Sequence, residues 1–255
     1  MNNILNSTEN KITTITIDRP SKLNALNADT IAELAAAIGE AEDDDEVRVI
    51  VLTGAGEKAF VAGADISEFA DYDESEGRKL AGKGQKDLFD LVENCSKPVI
   101  AAVNGFALGG GLELAMAAHF RIASDNARLG LPETSLGVIP GYGGTQRLPQ
   151  LVGKGRAMEM IMTAGMIDAQ QALTYGLVNH VVTQEELLEF TYGIAKKIMR
   201  NSPMAIGAAI DSVNAGYVDG TDGYQVEIDN FGSCFGTEEF VEGTTAFLEK
   251  RRAEF

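Results

Sequence analysis

The chain predicts an α/β fold that turns wholly helical toward its C-terminus. Two observations carry this. Short β-branched runs at 11–17, 47–54 and 98–105 are separated by stretches with helical spacing, the pattern of an α/β chain. After about Thr183 the strand signals stop and only helical ones follow. The expected division is an α/β catalytic core over 1–195 and a helical region over 196–255. A length of 255 residues, 45% of them hydrophobic, is enough to bury a sizeable core.

The elements follow in order. KITTITI at 11–17 alternates as a half-buried strand, and Arg19-Pro20-Ser21-Lys22 turns the chain. Ile31, Leu34, Ala35 and Ile38 keep helical spacing from Asn27 to Glu42, with Asn27 as the N-cap. VRVIVLTG at 47–54 and PVIAAVNG at 98–105 read as buried strands. Between them lies Gly56–Asp73, then a charged helix-prone stretch to Cys95, where Gly77, Gly82 and Gly84 suggest mobility. His119–Ser124 and Leu177–Val182 read as further short strands. Helices are expected through Lys196, over Ala205–Val213 and Val226–Phe231, and over Glu238–Lys250.

Charge narrows the function classes. Thirty-eight acidic against 21 basic side chains leave −17, a field that repels nucleic-acid backbones and anionic membranes. The apolar stretch 98–120 is long enough to suggest a membrane span, but Asn104, Glu113 and a glycine cluster interrupt it. A buried strand–loop–helix is expected instead. The first residues carry no basic and apolar signal pattern, and two distant cysteines read as free thiols. A cytoplasmic protein is the expectation.

Several familiar chemistries fail. No phosphate-loop motif occurs, and GGGLEL at 109–114 has Leu114 where a dinucleotide fingerprint needs a small residue. Ser135 lacks the first glycine of a nucleophile elbow. His119 and His180 lack a metal-binding context, so acid–base work falls to other side chains.

Three segments stand out: AFVAGADISEF at 59–69, NGFALGGGLELAMA at 104–117 and LGLPETSLGVIPGYGGTQRL at 129–148. Small residues at 62–64 admit a ligand close to backbone amides. Gly109-Gly110-Gly111 falls at an expected helix N-terminus, where free N–H groups face developing negative charge. Glu113 follows within an all-apolar helix. It reads either as a first-turn acid stabilised by the dipole or as a desolvated carboxylate held for chemistry, and burial cost favours the second. Glu133, after Pro132, fits an ordinary helix start equally well.

Together these segments resemble the enoyl-CoA hydratase (crotonase) family. RPSKLNALN at 19–27 and FLEKRRAEF at 247–255 extend the resemblance over essentially the whole chain. Val61 and Tyr142 stand where smaller residues are common. The resemblance implies a spiral of ββα units with a helical trimerisation region, and two trimers stacked as a homohexamer. It implies an oxyanion hole from the amides of Ala64 and Gly110, within a glycine turn begun by Gly109. Glu113 would help activate water for attack at C3, Glu133 would deliver a proton to C2, and the Gly141 amide would position that water and a glutamate. Lys22, Ala25, Leu26, Ala62, Ala64, Asp65, Ile66, Gly109 and Gly110 would contact the acyl-CoA substrate. Phe247 and Lys250 would reach it from a neighbouring subunit. No metal or redox cofactor is implied. Arg19, Lys22, Lys58 and Lys250-Arg251-Arg252 offer local positive charge for CoA. Two acids together imply hydration or its reverse on short-to-medium acyl chains. A Δ3–Δ2 enoyl-CoA isomerase and a silent CoA-binding subunit are the alternatives.

Overall fold

A computed structural model of the protein describes residues 3–255. Strands β1 (Ile4–Glu9) and β2 (Ile12–Ile17) form a hairpin around Asn10 and Lys11. Both loop residues have positive φ, 52° and 64°, the left-handed pair a two-residue hairpin turn requires. The sequence reading missed β1 because it is an edge strand with mostly exposed side chains and no apolar alternation.

From β2 the large sheet runs through β3 (Val49–Gly54), β5 (Val99–Val103), β7 (Phe120–Ser124) and β10 (His180–Val182), all parallel. Its strands are apolar on both faces because both faces are covered. Ile15, Ile17, Ile50, Leu52, Ala101 and Val103 join the main core with helix α1 (Ala28–Asp43). Val49, Val51, Ile100, Ala102 and Ile122 meet Leu187 and Ala195 of α8 (Leu187–Ile198) on the other face. Asn27 caps α1 through its side chain, as its position in the sequence predicts.

A second sheet holds β4 (Ala59–Val61), β6 (Phe106–Leu108), β8 (Arg128–Gly130) and β9 (Met166–Asp168); the first three are parallel. The chain alternates between sheets and then enters a helix. β3 and β4 lead to α2 (Glu74–Gly84), and β5 and β6 lead to α4 (Gly110–Ala117). β7 and β8 lead, through a 3-10 turn at Pro132–Leu136, to α5 (Gly144–Val152) and α6 (Lys154–Thr163). These are the ββα units of the spiral, and β9 leads to α7 (Ala169–Tyr175).

Three differences from the sequence reading have clear physical reasons. The expected boundary at 195/196 falls inside α8, which packs on the large sheet. The late helices α9 (Pro203–Ala215), α10 (Gly223–Cys234) and α11 (Glu238–Glu249) follow it. The stretch to Cys95 contains a π-helical segment, Gln85–Phe89, between α2 and α3 (Asp90–Glu93). Gly84 serves close approach: a Cβ there would meet the Tyr142 ring at 2.4 Å. Among the described residues, no helix is long and apolar enough to cross a membrane.

Candidate active site

The three segments singled out in the sequence leave the C-terminal ends of three neighbouring parallel strands. β4 runs into Ala62-Gly63-Ala64, β6 into Gly109-Gly110, and β8 into Leu131-Pro132-Glu133. Carboxyl ends of parallel strands are where α/β sheets bind ligands. Residues distant in sequence thus become neighbours through strand order.

Leu26 N donates to Gly63 O at 2.9 Å, and Asp65 N donates to Leu26 O at 2.6 Å. This bridge, in which Leu26 pairs with Ala64, turns the Ala64 amide away from Leu26. Gly110 is the first residue of α4, so its amide is one of the four donors a helix leaves free. Gly109 makes the corner with φ 51° and ψ −127°, a conformation closed to side-chain-bearing residues. Two such amides thus stand at the ends of adjacent strands, and paired backbone donors are the kind of group that stabilises an oxyanion.

Glu113, in the first turn of α4, is only 1% exposed. Its Oε1 accepts from the amides of Tyr142 and Gly144, each at 2.8 Å. Burial pushes its carboxyl up to about 7; the Gly144 amide pulls against this, and Glu133 adds to the rise. Glu133 lies against the glycine corner, where a Cβ on Gly109 would stand 3.1 Å from its Oε1. Its Oε2 is buried without a hydrogen-bond partner, and burial raises its pKa as well. The two differ in their partners: two backbone amides stabilise the ionised form of Glu113, whereas the Glu133 Oε2 has no hydrogen-bond partner, and burial raises both carboxyls.

Gly141 opens the turn whose amides hold Glu113. The amides that hold Glu113 belong to Tyr142 and Gly144, because the turn closes onto the carboxylate one residue later. Tyr142 is buried, stacks on Phe89 with ring centroids 4.6 Å apart, and stands against Gly110. Its pairing with a π-helical residue left no pattern in the sequence.

Of the expected substrate contacts, Leu26 is buried, Ala25 and Ala62 are half-buried, and Lys22 and Ile66 are exposed along the edge made by 22–26 and 62–66. Asp65 and Arg19 are engaged with each other at 3.1 Å, and Ser67 donates to Asp65, which keeps that carboxyl below its ordinary range. The two charges are thus engaged with each other along that edge. Arg251 is likewise engaged, by Glu242 and Glu249. Phe247 and Lys250 are not brought to the site: Arg48, just before β3, donates to the Phe255 carbonyl, fixing this end of the chain beside the far end of the strand. Among the described residues, no cluster of three or more His, Cys, Asp or Glu could hold a metal.

Residues 7–255 match the family model described as enoyl-CoA hydratase/isomerase. The chain is 51% identical over 255 residues to the short-chain-enoyl-CoA hydratase of Clostridium acetobutylicum, covering 100% of this chain and 97% of that protein. It is 48% identical to the crotonyl-CoA hydratase of Syntrophomonas wolfei, with 99% and 97% covered. Among solved structures, an enoyl-CoA hydratase from Bacillus anthracis superposes with a TM-score of 0.93 at 42% identity, covering 99% and 98%.

Proposed function

Because this chain belongs to the enoyl-CoA hydratase/isomerase family and hydrates enoyl-CoA thioesters, we propose that Glu113 and Glu133 share one water and the Ala64 and Gly110 amides take the thioester oxygen. Charge develops on that oxygen as water adds to C3, and removing one such donor typically costs about 2.7–4 kcal/mol. Glu113, in its ionised form held by two amides, draws a proton from the attacking water. Glu133, through its unpaired oxygen, supplies the proton that C2 gains. The observation that carries this reading is a buried Glu113 held by two amides and a half-buried Glu133 with one unpaired oxygen, beside two free amides.

The reaction is redox-neutral, and the reading includes no cofactor besides the CoA thioester itself. The acyl chain is short, since the Tyr142 ring fills the space against Gly110 and is locked there by Phe89. The enzyme works in the cytoplasm as a homohexamer, with Phe247 and Lys250 completing the neighbouring subunit's CoA site. Lys22 and Lys58 supply local positive charge there.

Crotonyl-CoA tests this directly. The wild-type protein should remove its enone absorbance, which an isomerase alone would leave intact. Glu113→Gln and Glu133→Gln should each lower kcat by about 10²–10⁴-fold. Either variant retaining full hydration would overturn the assignment. Turnover should fall as the enoyl chain lengthens from four to ten carbons.

A further inference from the structure

Arg147 takes no part in the steps above, yet the structure ties it to them. It lies in the first turn of α5 and is buried despite its charge. Its Nη1 donates to the Tyr142 carbonyl at 2.8 Å. The amide of the same Tyr142 donates to Glu113, so the guanidinium and the carboxylate hold opposite ends of one residue. The fit is close: a Cβ on Gly143 would stand 2.1 Å from Nη1. On its other side, Nη2 pairs with Glu93 at 2.5 Å and with Asp90 at 3.4 Å, both on α3. The end of α3 is anchored in turn, since the Glu93 carbonyl accepts from Asn214 of α9 at 2.7 Å.

We propose that Arg147 is a positioning residue for Glu113, clamping the turn that carries both amide donors, with Glu93 and Asp90 as the anchor. A buried ion pair adds little net stability over an apolar replacement of the same shape. What it supplies here is a fixed turn. A misplacement of about 1 Å in such a support costs about 10²-fold in rate. The inference rests on the reading of Glu113 and Glu133 as the hydrating pair.

The charges around the clamp set the direction of its pH effect. Glu113 faces Glu133 from the 3-10 turn, the Tyr142 phenol, and Arg147 from α5. Arg147 faces Asp90 and Glu93, and shares the wall of an adjoining cavity with Arg121 and His119. Loss of Arg147 removes the positive charge that favours an ionised Glu113 and slackens its two amides, so the carboxyl pair holds its protons to higher pH.

The test compares Arg147→Gln, Arg147→Lys and Glu93→Gln with the wild-type chain in steady-state hydration of crotonyl-CoA across pH, with thermal melts alongside. Arg147→Gln should lower kcat about 10- to 100-fold with KM changed less than about threefold, and move the pH profile up by about one unit. Arg147→Lys keeps the charge and should return the profile to its wild-type position while recovering only part of kcat. Glu93→Gln should give a smaller fall in kcat. A folded Arg147→Gln with wild-type kcat and pH profile overturns the proposal, as does a loss lying wholly in KM. If Arg147→Gln does not fold, wild-type kcat in both Arg147→Lys and Glu93→Gln overturns it. A wild-type protein that leaves crotonyl-CoA unchanged overturns the functional reading and this inference with it; an active wild type with unaffected variants overturns this inference alone.

Discussion

The Glu113 carboxyl titrates at about 7 in the fold, against 4.5 for an unperturbed glutamate. Between those values the folded chain keeps a proton that the unfolded chain has released. Stability from this group is therefore lost as pH rises through the window, and the full cost, about 3 kcal/mol, is present above it. Glutamine keeps an oxygen for the Tyr142 and Gly144 amides and never ionises. Glu113→Gln should thus be more stable than wild type at about pH 8, by about 2–3 kcal/mol, with the gain shrinking toward about pH 5. Urea unfolding at both pH values measures this; a gain independent of pH contradicts it. A stability cost of this kind is the usual sign of a buried ionisable group kept for chemistry, the role proposed for Glu113. That much was legible in the sequence, because a lone acid in an apolar helix is costly to bury unless it does chemistry. The amides that hold it were not, since backbone donors leave no trace in side-chain identity. Arg147 was equally hidden: in sequence a buried arginine looks like any surface charge.

Among the elements, legibility followed strand length and sidedness. β3 and β5, five or six residues buried on both faces, announce themselves as apolar runs. β6, β8 and β9 are three residues each, too short to show a period, and with β4 they make the sheet that carries the site. The glycine cluster that marks the start of α4 is legible, and its spacing has a strict packing reason. A Cβ on Gly111 would lie 2.1 Å from the Val61 carbonyl oxygen, a backbone atom of β4 that cannot swing aside. Gly110 next to it leaves 3.5 Å to the nearest atom, the edge of the Tyr142 ring. Gly111→Ala should therefore force α4 away from β4 and destabilise the chain by about 1–3 kcal/mol or more, while Gly110→Ala is borne with a smaller loss. Chemical denaturation of the two variants checks the ranking, and equal midpoints would contradict it.

The net charge of −17 describes the whole exterior, and along the helix Gly223–Cys234 apolar side chains interrupt that exterior with helical regularity. Tyr224, Ile228, Phe231 and Phe235 fall at four-, three- and four-residue steps along α10 and just past its end, with exposures of 82%, 61%, 68% and 53%. The side facing α9 is held by polar contacts instead: Asn230 donates to Asp211 and to the Ala208 carbonyl. An apolar stripe of this size facing water costs about 1.5–3 kcal/mol for each large side chain left uncovered. A second copy of the chain is the cover that the proposed hexamer supplies, and the same assembly brings Phe247 and Lys250 to a neighbour's CoA site. Light scattering should give a stable species of six 27.1 kDa chains, or three, at micromolar concentration. Ile228→Asp combined with Phe231→Asp puts two charges into the stripe without touching Glu113, Glu133 or their amides. The variant should sediment as smaller species, with KM for crotonyl-CoA raised by at least about tenfold, since each isolated subunit lacks its partner's contacts to the nucleotide. A wild-type chain that stays monomeric, or a dissociated variant with unchanged KM, would show that the stripe has another use.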